Sequence, residues 1–142
     1  RLCREDDFKE PLSEFVSACL RRLRTMRWII VSYSDTAMNH HRYIYQACNF
    51  IYTGSTKERT DIFTGEGKHG RHYSEDDMNC GIRQVRSAKH RYIYFCTPLK
   101  NEKREWRDAL RYEVLPYPKG DNSPDYRLGE YIKPELRAVS NE

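Results

Sequence analysis

A chain of 142 residues has the length of one ordinary domain, typically about 100 to 200 residues. Charged residues make up 32% and apolar ones 38%, a low apolar share for a self-sufficient core, and the net charge of +4 does not by itself mark a polyanion binder. No apolar stretch approaches the roughly 18 residues of a membrane span and no secretory leader is visible, which speaks against membrane-spanning and secreted classes.

Taken in order, the chain opens on Arg1 with residues that read as the inside of a strand, so a structured portion is expected to precede it. Leu12, Phe15, Val16, Cys19, Leu20 and Leu23 recur at helical spacing and predict a helix over 11–24. Pro11 suits its first turn, and Arg21, Arg22 and Arg24 suit the negative end of its dipole. Trp28 to Tyr33 is β-branched and almost continuously apolar, the pattern of a buried strand in a parallel sheet. A second helix is expected over Asn39 to Cys48 and a second strand over Phe50 to Gly54. Ser55 to Lys89 carries Gly65, Gly67, Gly70 and Gly81 with few apolar runs, and reads as a long binding loop. A third strand follows at Arg91 to Cys96, then a short charged helix over Glu102 to Tyr112 anchored by Trp106 and Leu110. Leu115 to Gly120 is held extended by its prolines, and a polar tail from Asp121 is expected to fray. The fold class is mixed α/β, with residues 1–120 as the domain and 121–142 as the tail.

Two bulk patterns refine this picture. Cys3, Cys19, Cys48, Cys80 and Cys96 are odd in number, widely spaced and without a C-x-x-C pair, as buried free thiols of a reducing cytoplasm would be. Between Gly81 and Asn101 there is no acid, while Arg83, Arg86, Lys89, Arg91 and Lys100 all occur, a local concentration of charge suited to phosphate.

The most informative block runs from Asp35 to Gly54. Polar and aromatic residues follow a strand there, and ligands of open α/β sheets collect beyond strand ends. Asp35, Asn39, Tyr45 and Asn49 are the candidates, with plain structural readings beside them. Asp35 or Asn39 suits a helix cap, and a tyrosine on a helix between strands suits the core. His69-x-x-His72 has ligand-like spacing, but no cysteine or carboxylate stands at a fixed distance to complete a metal site.

The series Asp35-x-x-x-Asn39, Tyr43-Ile44-Tyr45-Gln46-Ala47-x-Asn49-Phe50-x-Tyr52-x-Gly54 resembles the Mom family of phage DNA-modification proteins. Thr60-Asp61 with Gly67-Lys68-His69-x-Arg71-His72-Tyr73, then Lys89 to Phe95, then Leu115 to Gly120 match the same family in the same order. The resemblance implies a GNAT-like acyltransferase fold, of which this chain would be the carboxyl portion. It implies conversion of adenine in double-stranded DNA to an N6-carbamoylmethyl derivative, protecting phage DNA from restriction in the host cytoplasm. Within that frame Asp35 would receive or orient the amine proton, and Tyr45 would protonate the leaving group. Ser13, Asn39 and Asn49 would bind substrate or cofactor. Lys57, Arg59, Lys68, His69, Arg71, His72, Tyr73 and Arg91 would contact DNA. No metal is implied. The donor stays unnamed: the approach to the first helix, Asp6 to Ser13, lacks the glycines of a pyrophosphate loop and carries three acids, which counts against an acyl-CoA donor in the usual geometry. A general GNAT acyltransferase and a non-catalytic DNA-binding half-domain are the rival readings.

Overall fold

The computed structural model describes residues 10–36, 43–63, 72–79, 82–119 and 136–138. The first helix, α1 (Leu12–Leu23), begins after an extended Pro11, whose φ of −62° and ψ of 131° stop the helix from starting earlier. Its apolar stripe buries Val16 and Leu20, one turn apart on the same face. A 3-10 turn (Arg24–Met26) and a left-handed Arg27 (φ 54°) then reverse the chain into β1 (Trp28–Asp35).

β1 lies along β5 (Lys89–Cys96) from Trp28 opposite Cys96 to Asp35 opposite Lys89, and β2 (Ile51–Ser55) takes the other edge of β5. Every pairing among the described residues is antiparallel, which corrects the parallel-sheet setting expected for the Trp28 to Tyr33 strand. The burial of β1 differs too. Ile29, Val31 and Tyr33 remain 55%, 46% and 50% exposed, because β1 is an edge among the described strands and α1 covers only its other face. An unbroken apolar run marks a strand but does not say how many neighbours it has.

β5 is the buried centre, with Tyr92 and Cys96 both at 0% exposure. On one face Tyr92 joins Val16, Leu20, Tyr45, Cys48, Phe50 and Tyr52 in the core, where α1 and the short α2 (Tyr43–Ala47) close over the sheet. The expected start of α2 at Asn39 lies outside the described residues. On the opposite face Phe95 meets Trp106 edge-on at 6.0 Å, docking α4 (Lys100–Asp108) through the anchor expected from the sequence. Glu102 of α4 accepts from the Thr97 hydroxyl and pairs with Arg27, tying that helix to the start of β1.

Part of the stretch expected to be one long loop forms strands and a helix. β3 (Arg59–Ile62) and β4 (Ile82–Arg86) pair antiparallel, and α3 (Glu75–Met78) lies between them in the chain. Ser74 and Asp77 form a reciprocal capping box at the start of α3. Three residues of the expected tail form β6 (Leu136–Ala138) on the outer edge of β4. Polar residues on both faces of this ribbon mask its period-two signal in the sequence. Leu115 to Lys119 is extended as expected, and its contact with β2 is a single bridge, Leu115 N–H to the Tyr52 carbonyl at 2.9 Å. Pro116 and Pro118 lack the donors that would continue it. Gly54 (φ 85°) sits under Leu115, where an added Cβ would stand 3.4 Å from its methyl. Among the described residues no helix is long and apolar enough to cross a membrane.

Candidate functional site

The sequence placed its candidates at the end of β1, and the fold brings a second chain segment to that point. β2 and β3 together run antiparallel to β4 and β5, so the four strands read as one long hairpin bent at residues 56–58 and 87–88. The bend is closed by Thr56 N–H donating to the Lys89 carbonyl at 2.9 Å and Lys89 N–H donating to the Thr56 hydroxyl at 3.0 Å. The end of β1 is stitched to the same bend. Thr36 gives both its N–H (3.0 Å) and its hydroxyl (2.8 Å) to the Ala88 carbonyl. The Ser87 hydroxyl donates to the half-buried Asp35 carboxylate, fixing its orientation. Asp35 therefore stands at the junction of β1 with the hairpin bend, with Lys89 as its register partner.

Tyr45 occupies a different environment. It is 8% exposed, edge-on to Phe50 at 5.3 Å between ring centroids and tilted against Tyr92 at 5.1 Å. Its phenol belongs to a cluster with those of Tyr52, Tyr92 and Tyr117. Burial pushes the Tyr92 phenol up to about 12, with a Gln46 hydrogen bond opposing and the Tyr52, Tyr117 and Tyr45 phenols adding to the rise. The Tyr117 hydroxyl donates to the Phe50 carbonyl at 2.6 Å, pinning the proline-stiffened segment beneath α2.

Asn49 has a clear local task. It takes the left-handed conformation (φ 60°) just after α2, its N–H bonds the Gln46 carbonyl at 3.0 Å, and Phe50 N–H bonds the Tyr45 carbonyl at 3.0 Å. These are the two bonds of a Schellman motif, and the Tyr45–Phe50 ring contact is the apolar clasp that accompanies it. Asparagine tolerates that backbone better than most residues. Ser13 lines an open groove of about 430 Å³ with Glu14, Ser17, Arg21 and Ala47, between α1 and α2. Its carbonyl accepts from the Cys48 thiol at 3.4 Å.

Of the residues expected to meet DNA, Lys57 and Arg59 are exposed at the bend and on β3, and His72 is exposed beside α3. Tyr73 gives its hydroxyl to the Ile62 carbonyl at 2.8 Å, closing the far end of the ribbon. Arg91 is held inside the fold: its guanidinium donates to the Thr53 hydroxyl and carbonyl, both at 2.9 Å, and stacks 3.4 Å over the Tyr112 ring. Asn39, Lys68, His69 and Arg71 lie outside the described residues.

The sequence reading gave no role to Tyr52 and His90. The Tyr52 hydroxyl and His90 Nδ1 lie 2.9 Å apart, and burial raises the Tyr52 phenol while the Arg91 charge opposes it. Cross-strand register alone brings the pair together, and register is not written in either segment. Cys48 and Cys96 are buried free thiols, as expected, and Cys19 is half-buried. Burial raises the Cys96 thiol against the opposing charges of Lys103 and Arg24, which makes it a poor nucleophile. Among the described residues no group of three or more His, Cys, Asp and Glu is placed to hold a metal ion.

The approach to α1 fits a CoA pyrophosphate poorly. Pro11 supplies no amide hydrogen, and Glu14 puts a carboxylate in the first turn where the phosphates would need positive potential. A comparison with curated proteins found no match. The model of the Mom protein family matches residues 1–119, most of the chain, and the protein therefore belongs to that family, membership of which suggests phage DNA modification.

Proposed function

We propose that the Asp35 junction is the acceptor side of a DNA adenine-modifying centre on a GNAT-like scaffold, converting adenine in duplex DNA to its N6-carbamoylmethyl derivative and so shielding phage DNA from restriction. The supporting observation is Asp35 itself, a carboxylate oriented by Ser87 where β1 meets the hairpin bend, in a chain of the Mom protein family. As the adenine N6 forms its bond to the donor carbon, the donor's leaving group departs with the bonding electrons and N6 must shed a proton. Asp35 accepts that proton or aligns the amine for its loss. In this reading Tyr45 supplies a proton to the leaving group, and Asn39, Asn49 and Ser13 bind substrate or donor. The donor is left open, and no step is routed through CoA. An adenine paired in a duplex hides its amine, so the base must be extruded, with Lys57, Arg59 and the segment from Lys68 to Tyr73 against the backbone.

Mass spectrometry of nucleosides from plasmid DNA co-expressed with the chain tests the reaction. A modified deoxyadenosine is expected, lost in Asp35→Asn with the fold intact. Unmodified adenine throughout would overturn this reading and leave the general acyltransferase and the non-catalytic DNA-binding module.

A further inference from the structure

The hairpin bend has a charge arrangement that the reaction chemistry does not explain. Lys57, Arg59, Arg86 and Lys89 are all exposed at the end of the ribbon nearest β1. Arg59 and Arg86 are direct cross-strand partners. Like charges in that position destabilise a sheet unless an anion lies between them. Asp61 meets part of the need, accepting from Arg86 Nε at 2.9 Å, and Glu58 is an exposed acid next to Arg59 in the chain. The opposite end of the ribbon carries both signs, with exposed Arg83 there as the register partner of Arg137. Tyr73 ties Ile62 to the segment that enters α3, whose first turn is Glu75, Asp76 and Asp77. Lys57, Arg59, Arg86 and Lys89 thus stand at the end of the ribbon beside Asp35. Beyond the bend, β3 and β4 pair mainly with each other and with β6 and lie outside the main core cluster, as an arm dedicated to a ligand would.

We infer that Lys57, Arg59, Arg86 and Lys89 form a phosphate clamp on duplex DNA, with the Arg59–Arg86 pair gripping the backbone beside Asp35. The clamp rests on the DNA-modifying reading and deepens it, because it adds Arg86 and Lys89 to the residues that meet the backbone. These contacts go to the backbone, and they position the DNA without reading its sequence.

Fluorescence anisotropy of the whole chain with a labelled 20-base-pair duplex, titrated at several salt concentrations, tests this. Each phosphate contact contributes about 0.9 to the slope of log K against log salt, so Arg59→Gln with Arg86→Gln should lower the slope by about 2 and weaken binding roughly tenfold or more. Arg59→Lys with Arg86→Lys keeps both charges and should retain most of the slope. Arg104→Gln with Arg107→Gln removes the same charge from α4 and should leave binding within about twofold. An unchanged slope in the Arg59/Arg86 glutamine variant would overturn the clamp, as would an equal loss in the α4 variant. Nucleoside analysis of the same proteins separates the two ideas. Modified adenine with an unchanged slope sinks the clamp alone, whereas a lost slope with no modified adenine in the wild type sinks the transferase reading alone.

Discussion

Asn49 shows how one side chain can satisfy a local and a chemical reading at once. Its left-handed backbone completes the Schellman motif after α2, so Asn49→Gly should fold as well as the wild type. Asn49→Val should cost about 1 to 2 kcal/mol in urea unfolding, because a β-branched residue resists that conformation. If the glycine variant folds normally and still modifies DNA at the wild-type rate, the amide has no part in binding substrate. Tyr45 admits a similar separation. Tyr45→Phe preserves the ring packing on Phe50 and Tyr92, so a loss of modification without a loss of stability would identify the phenol as the proton donor. Wild-type activity would return Tyr45 to the core alone. For the Tyr52–His90 pair, Tyr52→Phe should lower stability by about 1 kcal/mol, the net worth of a typical hydrogen bond, read by the same urea titration.

At the scale of elements, Arg91 is the instructive case. Its position in a basic stretch pointed to phosphate, yet its fork meets Thr53 twice and its face covers Tyr112. It holds β2 to β5 where their register shifts after Tyr52. A lysine cannot reproduce a bidentate, stacked guanidinium, so Arg91→Lys should destabilise the protein by about 1 kcal/mol while leaving DNA affinity within about twofold. A large loss of affinity with stability intact would put Arg91 in the interface instead. The helices α1 and α4 were legible because each carries an apolar period or an aromatic anchor that survives in the sequence. β3, β4 and β6 were not, because exposed ribbons mix charge into both faces and lose the alternation that identifies a half-buried strand. Burial of β1 was misjudged for a related reason. Its apolar run reports propensity, whereas exposure depends on which neighbours pair with it.

Across the whole molecule, the buried phenols couple stability to alkaline pH. The folded Tyr92 phenol is raised from 10.0 to about 12, so the folded state holds that proton more tightly than the unfolded chain does. Its contribution is fully present below pH 10 and is lost as pH rises through about 12. Tyr52, Tyr94 and Cys96 are shifted in the same direction by burial. Thermal unfolding followed between pH 9 and 12 should show a falling midpoint, and Tyr92→Phe should flatten that fall. A midpoint that is equally pH-dependent in the variant would assign the effect elsewhere.

The sequence by itself determined the mixed α/β class, the principal helix and the three strands of the main sheet, because side-chain periodicity and proline geometry are local properties. It also determined the family, through ordered motifs that need no coordinates. Tertiary structure alone decided that the sheet is antiparallel, that the presumed loop is a hairpin arm, and that Asp35 meets Ser87 and the bend while Arg91 turns inward. Those outcomes depend on strand register and on pairings between residues as near as Ile62 and Arg83 and as far apart in sequence as Trp28 and Cys96, and no local pattern encodes which partner a strand will take.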